Sequence, residues 1–335
     1  MNNQVLQDLL KQYEQKRIMN ERELETRKQE IYAKNPKLKE IDLELANISI
    51  SAAKSILSSN KNQINDLKNK IKKLKEEKEN ILKSCGKTLD DLSVKYDCKI
   101  CKDTGYVLEN NYTVMCKCLK QKIFDIEYNK ANLNILKNQT FENFNLDLYS
   151  DEKNKEKYGS NLSPRQNAEK IKKAAIKFAE NFDDINQKNL LFSGGTGLGK
   201  TYLSNAIVKA LLEKGKTVLY QTAPVMLDTL ISNMFNKDIN NDFSENLLNV
   251  DLLVIDDLGT ETMNSMKFTE LYKIINTRLL NPNGKITKTI ISTNLDLQGL
   301  FNTYDERLVS RFIGYYDIYR FFGDDIRIKN KKNAN

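Results

Sequence analysis

A glycine-rich motif of eight residues limits what this chain can fold into more than any other feature of its sequence. Residues 194–201 read Gly-Gly-Thr-Gly-Leu-Gly-Lys-Thr, which satisfies the spacing G-x4-G-K-[ST]. Glycines at these positions let the backbone wrap a phosphate with its N–H groups, and the helix that follows adds its positive N-terminus. The motif lies between an apolar segment at 190–192, a predicted strand, and a predicted helix from Lys200. We therefore predict a nucleotide site formed by a strand, a loop and a helix.

The motif predicts a role for each residue of the phosphate loop. Lys200 is expected to reach the β- and γ-phosphates of ATP, and Thr201 to place its hydroxyl on Mg²⁺. The other residues are expected to bind phosphate with their backbone: Gly194, Gly195, Thr196, Gly197, Leu198 and Gly199.

Strands and helices alternate after the phosphate loop. Strands are predicted at 217–220, 250–255, 288–292 and 315–321, and helices from Pro224 and over 266–280. Ahead of the loop, Ser163-Pro164-Arg165-Gln166 predicts a helix start, with Ser163 as the N-cap and Gln166 completing a capping box. This alternation predicts an α/β fold in which helices cover both faces of a parallel sheet.

Polar side chains follow two of these strands and are expected to meet the phosphate loop at the carboxyl edge of the sheet. Asp256 and Asp257 end the strand at 252–255. Asp256 is the expected magnesium ligand, acting through water, and Asp257 could polarise the attacking water. Asn294 ends the segment Ile-Ile-Ser-Thr-Asn and could hold that water or the γ-phosphate. Alternatively, these polar residues only form turns.

Two arginines are predicted on one face of a short helix. The segment 306–311 reads Glu-Arg-Leu-Val-Ser-Arg, which places Arg307 and Arg311 four residues apart. Arginine suits a finger that stabilises charge on a transferring phosphoryl group. A surface helix held by ion pairs is the alternative.

Four of the five cysteines form two close pairs. Cys98 and Cys101 are separated by two residues, Cys116 and Cys118 by one, and the chain contains no histidine. In a reducing compartment such clusters indicate metal binding or reactivity rather than disulfides. Four thiolates satisfy tetrahedral zinc, so we predict structural Zn²⁺ ahead of an iron–sulfur cluster or four unligated thiols. Cys85 lies outside the pattern and is expected to be a free thiol.

The first ninety residues are predicted to be helical. They are rich in Lys, Glu, Gln, Asn and Leu, and Pro36 is expected to break the helix. A seven-residue repeat follows, at Ile50, Leu57, Ile64 and Ile71, interleaved with Leu67, Leu74 and Ile81. The repeat predicts a coiled-coil-like hairpin. Such a hairpin either packs only on itself or docks a partner, and we favour the docking arm.

Composition sets the outer limits of these predictions. The 335 residues, 40% of them hydrophobic and 29% charged, suit a chain of two or three domains. We predict a helical hairpin arm at 1–92, a zinc module of four cysteines at 93–122, a linker at 123–162 and an ATPase core at 163–335. The sequence shows no signal-peptide pattern and no apolar run long enough for a membrane, so a cytoplasmic protein is expected. The net charge of +8 permits nucleic-acid contact without demanding it.

Taken together, the motifs resemble the AAA+ core of DnaC/DnaI-type replicative helicase loaders, which the insertion-sequence ATPase IstB shares. The resemblance rests on the phosphate loop, Asp256-Asp257-Leu258-Gly259, the Ser-Thr-Asn strand end and the Glu-Arg-x-x-Ser-Arg helix. Upstream, the segments 98–105 and 141–144 are similar to those of loaders from low-GC bacteria, which extends the likeness over about 95–328.

The resemblance implies further roles. Lys200 and Thr201 match the Walker A pair, Asp256 the Walker B residue, Asn294 sensor 1, and Arg311 a trans-acting arginine finger with Arg307 beside it. Glutamate is usual where this chain has Asp257, so Glu261 is the alternative catalytic base. No helical lid is expected after the last strand, and Arg327 is then a possible substitute for the sensor 2 residue of a lid.

The function implied is ATP-dependent loading of a DnaB-type replicative helicase, with contact to single-stranded DNA. We expect self-association in the ATP-bound state, contact with an initiator or other AAA+ subunits, and slow hydrolysis by the isolated protein. Lys237, in a polar stretch at 236–245, is a DNA-contact candidate. The alternatives are an IstB-like transposition helper, a P-loop kinase for a small molecule, and a zinc adaptor that uses nucleotide as a switch.

Overall fold

The computed structural model describes residues 3–57, 61–127, 138–235, 242–280 and 284–328. Contacts between Cα atoms divide the chain into two units. The arm unit comprises residues 7–116, and the core unit comprises the first six residues and residues 117–335.

Three long helices and a β-hairpin make up the arm unit. The helices are α1 (Asn3–Lys34), α2 (Pro36–Leu57) and α3 (Lys61–Ser84), and a short 3-10 helix follows at Leu89–Leu92. The hairpin pairs β1 (Tyr106–Glu109) with β2 (Tyr112–Met115) in antiparallel register. The predicted break at Pro36 is confirmed, since α1 ends at Lys34 and the proline begins α2.

Helices α2 and α3 fold back on each other along an apolar seam. Leu38 packs with Leu82 in one buried cluster, and Ile41 and Ile48 pack with Leu74 in the next. The prediction that Ile50 lies on this seam is wrong, because its side chain is 58% exposed. The seam of α2 runs through residues 38, 41, 45 and 48, whose alternating spacing of three and four follows the helical period. The side chains of Leu57 and Ile64 lie outside the described residues.

The core unit contains nine described helices and five strands. The strands are β3 (Asn189–Ser193), β4 (Val218–Thr222), β5 (Leu252–Leu258), β6 (Lys288–Thr293) and β7 (Tyr316–Arg320). The helices are α4 (Lys117–Glu127), α5 (Lys155–Tyr158), α6 (Pro164–Glu180), α7 (Lys200–Glu213), α8 (Ala223–Phe235), α9 (Asp242–Asn249), α10 (Ser265–Leu280), α11 (Leu297–Thr303) and α12 (Glu306–Tyr315); a 3-10 helix spans Leu146–Leu148.

The five strands form one parallel sheet with the order β4-β5-β6-β3-β7. Two buried apolar clusters, each contributed by strands and helices, lie against it. The predicted α/β class with a parallel sheet is therefore confirmed. The capping box of α6 is confirmed as well: the Gln166 N–H donates to Ser163 Oγ at 3.2 Å, and the Ser163 N–H donates to Gln166 Oε1 at 3.1 Å.

Residues ahead of Ser163 also belong to the core unit, although the sequence predicted a linker there. Phe124 in α4 lies in one of the two sheet clusters, and Phe144 and Tyr149 lie in the other. The predicted domain boundaries stay predictions, but these three aromatic side chains of the linker segment pack in the apolar clusters of the sheet. The helix α4 was not predicted, although its buried residues Leu119, Ile123 and Phe124 are spaced as on one face of a helix.

A side chain of α4 forms two hydrogen bonds with the backbone of edge strand β4, both at Val218. The Val218 N–H donates to Gln121 Oε1 at 2.7 Å, and Gln121 Nε2 donates to Val218 O at 3.1 Å. Gln121 Nε2 also donates to Asp125 Oδ1 at 2.8 Å, which fixes the orientation of the amide. The amide thus pairs with β4 as a short strand would.

Asp251 joins α4 to the amino end of β5. Its carboxylate accepts the Thr217 N–H at 2.8 Å and lies 2.9 Å from Lys285 Nζ and 3.3 Å from Lys117 Nζ. Burial disfavours the charged form, yet the hydrogen bonds from Thr217 and Lys285 and the charges of both lysines outweigh it and lower the pKa of Asp251 to about 2.

Replacing Asp251 with Asn is expected to lower the free energy of unfolding by about 2 kcal/mol at pH 7. The magnitude follows from the lowered pKa, since each pK unit corresponds to roughly 1.4 kcal/mol. The pKa of the folded state lies below the ordinary 3.8. The stabilisation of the folded state by ionised Asp251 is therefore present above about pH 4 and is lost as the pH falls toward 2. Urea unfolding of both proteins, followed by circular dichroism at pH 7 and pH 3, measures it. An equal difference between the two proteins at both pH values would contradict the assignment.

Candidate nucleotide site

The phosphate loop joins β3 to α7 and requires glycine where it turns into the helix. Gly199 has φ +93°, in the left-handed region that favours glycine. A Cβ atom added there would lie 2.4 Å from the Tyr149 hydroxyl. That hydroxyl donates to Leu198 O at 2.9 Å, so Tyr149 supports the loop from outside. The segment at 144–149 is therefore part of the wall that holds the loop.

The ammonium group of Lys200 lies inside the loop. Nζ donates to Gly194 O at 2.6 Å, to Gly195 O at 2.7 Å and to Asn294 Oδ1 at 2.8 Å. Burial lowers the pKa of Lys200, while the carboxylates of Asp257 and Asp256 act in the opposite direction. The structure thus places one cation where a phosphate chain would bind, and Asn294 next to it.

The carboxylate of Asp256 is held from several sides. Tyr220 OH donates to Oδ2 at 2.5 Å, and Ser292 Oγ donates to Oδ1. Thr201 Oγ1 lies 3.2 Å from Oδ2, and the Asp257 N–H donates to Oδ1 at 3.1 Å. A hydroxyl and a carboxylate at this distance are hard oxygen ligands, which Mg²⁺ prefers. Thr201 and Asp256 therefore fit the magnesium site that the sequence predicts.

Asp257 lies in an irregular part of the sheet. The pairing of β5 with β6 shifts register between Ile255 and Leu258, and Asp257 has φ +55°. Aspartate tolerates this left-handed conformation better than glutamate does, because its short polar side chain can hydrogen-bond locally. Burial raises the pKa of Asp257, the carboxylate of Asp256 adds to this, and the charges of Lys200 and Arg327 oppose it.

A cavity of about 330 Å³ lies beside the phosphate loop. Its lining includes Asp257 and Asn294. The full set is Gln139, Thr196, Gly197, Leu198, Gly199, Lys200, Thr201, Tyr202, Asp257, Asn294, Ile326 and Arg327. The structure therefore brings the predicted phosphate loop, carboxylates and Asn294 to one edge of the sheet.

Glu261, the alternative catalytic base, is held away from this cavity. Its side chain is buried, Oε2 accepts the Gly259 N–H at 2.8 Å, and Oε1 accepts the hydroxyl proton of Tyr304. It does not line the cavity. The geometry thus favours Asp257 as the residue next to a bound nucleotide.

Neither arginine of α12 lines the cavity of its own chain. Arg311 donates to Tyr272 OH at 3.1 Å and to Asn276 Oδ1 at 3.3 Å, both on α10. Arg307 forms an ion pair with Asp305, and its guanidinium lies 5.7 Å from the centre of the Tyr272 ring. Both arginines therefore lie against the same tyrosine.

The segment after β7 packs on the phosphate loop. The Ile326 N–H donates to Gly197 O at 3.0 Å, and the carboxylate of Asp325 occupies the space where a Cβ of Gly197 would lie. Arg327 follows and lines the cavity. The structure thus places Arg327 near the phosphate loop, as its suggested role would require.

The four paired cysteines meet in one cluster. The Sγ atoms of Cys98, Cys101, Cys116 and Cys118 all lie within 4.8 Å of one another, and Cys98 Sγ lies 3.9 Å from Cys116 Sγ. Four sulfur atoms at about 2.3 Å from one zinc ion would be roughly 3.8 Å apart, so the cluster fits a tetrahedral site. Asp103 fixes the first pair, since its carboxylate accepts the Cys98 N–H at 2.8 Å. Cys85 is exposed and lies outside the cluster.

Sequence reasoning missed several residues of the nucleotide site. Gln139 lines the cavity, and Tyr220 and Ser292 hold Asp256. Ser292 belongs to the Ser-Thr-Asn strand end, which was a usable signal, whereas nothing local marks Gln139 or Tyr220.

The DNA-contact candidate Lys237 lies outside the described residues. Within the described part of the chain, no helix combines the length and apolar character needed to cross a membrane.

Part of this chain is similar to known proteins. The family model for the bacterial DnaA ATPase domain matches residues 158–315. The replicative helicase loader DnaC of Buchnera aphidicola subsp. Schizaphis graminum is 34% identical over 148 residues, which is 42% of this chain and 56% of that protein. The chromosomal replication initiator DnaA of Campylobacter jejuni subsp. jejuni is 36% identical over 119 residues, 36% of this chain and 26% of that protein. The chain thus spans little more than half the length of the first relative.

A crystal structure of the DnaC helicase loader is similar with a TM-score of 0.43 and 25% identity, covering 54% of this chain and 98% of that one. The matched family model includes the phosphate loop, the strands β5 and β6 and the helix α12. The resemblance of the core to DnaC-type loaders, stated from the sequence motifs, is therefore confirmed by the matches.

Proposed function

Because the core of this chain resembles DnaC-type helicase loaders, we propose that the protein is an ATP-dependent loader of a DnaB-type replicative helicase. One combined observation carries the proposal. The chain has a cavity lined by its phosphate loop, and it is 34% identical over 148 residues to a replicative helicase loader. Contact with single-stranded DNA and with an initiator or another AAA+ subunit belongs to the same proposal.

In this proposal the cavity binds ATP with Mg²⁺. The backbone of residues 194–199 and Lys200 would hold the phosphates, and Thr201 and Asp256 would hold the ion. Bound Mg²⁺ would supply charge neutralisation for the phosphates. Asp257 would accept the proton of the attacking water, and Asn294 would orient that water. The raised pKa of Asp257 makes it a stronger base than an ordinary aspartate.

Arg311 would act on a neighbouring subunit. In its own chain it lies against α10 and lines no part of the nucleotide cavity. An arginine finger supplied across an interface explains this position, since it meets phosphate only after assembly. Hydrolysis would therefore require self-association in the ATP-bound state or a partner AAA+ protein, and the isolated protein would be slow.

The rival functions make different demands on the same site. A nucleotide-switched zinc adaptor needs no catalytic base, whereas Asp257 lines the cavity with a raised pKa. An IstB-like transposition helper would share the core, but the cysteine cluster and the helical hairpin have no assigned role in it. These two features support the loader proposal, in which the arm unit would dock the helicase.

The cysteine cluster is proposed to bind one structural Zn²⁺. Replacing Cys98 and Cys101 together with Ser is expected to reduce the zinc content from about one ion per chain to none, because two thiolates cannot complete a tetrahedral site. Elemental analysis of the purified proteins measures it, and the thermal unfolding midpoint should fall in parallel. Cys85→Ser is the matched control and should keep its zinc. Equal zinc content in all three proteins would refute the site.

Capture of the helicase tests the proposed function. The replicative helicase of the same organism would be incubated, with ATP and with ADP, with the full chain, the Lys200→Ala variant and a core fragment comprising residues 117–335. The full chain should capture the helicase and the fragment should not, which would assign docking to the arm unit. If no protein captures the helicase while ATP still binds to the full chain, the transposition helper or the adaptor replaces the loader.

A further inference from the structure

The magnesium-side carboxylate is held by two hydroxyl groups from the strands on either side of it. Asp256 is on β5, which lies between β4 and β6 in the sheet. Tyr220 on β4 donates to Oδ2, and Ser292 on β6 donates to Oδ1. Each oxygen of the carboxylate therefore receives one buried hydroxyl proton from a different neighbouring strand.

The register of β4 and β5 explains why the side chain of Tyr220 can reach Asp256. Thr222 is the residue of β4 that is directly opposite Asp256, and Tyr220 lies two residues before it on the same face of the sheet. A diagonal neighbour two residues away is within reach of a long aromatic side chain. Tyr220 is 2% exposed, so water does not compete for this hydrogen bond.

The hydroxyl of Ser292 has a second bond. It accepts the Asp257 N–H at 3.2 Å while it donates to Asp256 Oδ1. Ser292 thereby links the carboxylate to the irregular backbone that carries Asp257. The two hydroxyls and the Asp257 N–H approach Asp256 from the sheet, whereas Thr201 approaches it from the phosphate loop.

A carboxylate offers four lone-pair positions, and a ligand of Mg²⁺ must present a defined one of them. Groups that hydrogen-bond a metal ligand fix its orientation, and their loss typically costs 10- to 100-fold in metal affinity or activity. We propose that Tyr220, together with Ser292, is a positioning residue that orients Asp256 toward Mg²⁺ in the nucleotide site. This inference rests on the proposed binding of ATP and Mg²⁺, and it is independent of helicase loading.

The test compares two tyrosines with the same chemistry. Tyr220→Phe removes the hydroxyl that donates a hydrogen bond to Asp256. Tyr304→Phe removes the hydroxyl that donates a hydrogen bond to Glu261, outside the cavity. Binding of a fluorescent ATP analogue to the full chain is titrated with Mg²⁺, and also measured in EDTA. Tyr220→Phe should raise the half-saturating Mg²⁺ concentration about 10-fold and leave binding in EDTA unchanged. Tyr304→Phe should match the unaltered protein in both conditions.

The outcomes separate the inference from the function. Equal Mg²⁺ dependence in Tyr220→Phe and the unaltered protein would overturn the positioning role and leave the ATP site intact. Failure of the unaltered protein to bind the ATP analogue, both with Mg²⁺ and in EDTA, would instead refute the nucleotide site itself. Should Tyr220→Phe fail to fold, as judged by circular dichroism, Ser292→Ala removes the other hydroxyl; an unchanged Mg²⁺ dependence there would overturn the paired role.

Discussion

Replacing Asp257 with Asn is expected to lower the rate of ATP hydrolysis by about 10²- to 10⁴-fold, the usual contribution of a general base, while ATP remains bound. The amide keeps the size of the side chain and tolerates the left-handed backbone at this position. It cannot accept the proton of the attacking water. Single-turnover hydrolysis of labelled ATP by the assembled protein measures the rate, and a binding titration measures the affinity.

Glu261→Gln is the matched control for this prediction. Its carboxylate is bound by Gly259 and Tyr304 away from the cavity, so the variant should hydrolyse ATP at a rate close to that of the unaltered protein. In the unaltered protein the rate should fall on acidification at a higher pH than an ordinary aspartate would give, because the pKa of Asp257 is raised. A large loss in Glu261→Gln with normal activity in Asp257→Asn would reverse the assignment.

Replacing Arg311 with Ala is expected to lower hydrolysis in the assembled protein by about 10³-fold or more, the range of known arginine fingers. Binding of ATP to the single chain should be unchanged, because Arg311 does not line its own cavity. The hydrogen bonds to Tyr272 and Asn276 are only partly buried, so their loss should cost little stability.

Mixing two inactive variants distinguishes a finger that acts in trans from a structural arginine. Arg311→Ala keeps Asp257, and Asp257→Asn keeps Arg311, so a mixed interface can contain one complete site. Activity should return when the two proteins are mixed. Arg307→Ala, four residues away on the same helix, tests whether any arginine of α12 suffices. No recovery in the mixture would place the effect of Arg311 within its own subunit.

The sequence predicted those parts of the fold that have a local cause. The phosphate loop needs glycine at fixed spacing, and the capping box at Ser163 needs two residues three positions apart. The strands predicted at 250–255 and 288–292 overlap β5 and β6. In β5 the local cause is the unbroken apolar segment at 252–255, which is typical of a buried parallel strand. Ile50 was placed wrongly because the seven-residue repeat runs from α2 into α3, and two separate helices need not share one register.

The parts of the site that escaped prediction depend on contacts between distant residues. Tyr220 reaches Asp256 only because β4 pairs with β5 in one register, and no local pattern encodes that register. Gln139 reaches the cavity from a segment that reads as a polar loop. The left-handed backbone of Asp257 follows from the irregular pairing of β5 with β6, and it gives a physical reason for aspartate where glutamate is usual.

The pairing of Gln121 with Val218 affects how the ATPase core can be produced alone. A fragment that begins at Ser163, where the sequence suggested a boundary, lacks α4 and leaves the N–H and C=O of Val218 without the amide that pairs with them. An open strand edge is a template on which another copy can add a strand, so that fragment is prone to aggregate. A fragment that begins at Lys117 keeps the Gln121 amide that pairs with Val218. For crystallisation or assays of the isolated core, a fragment that includes α4 is therefore the better choice.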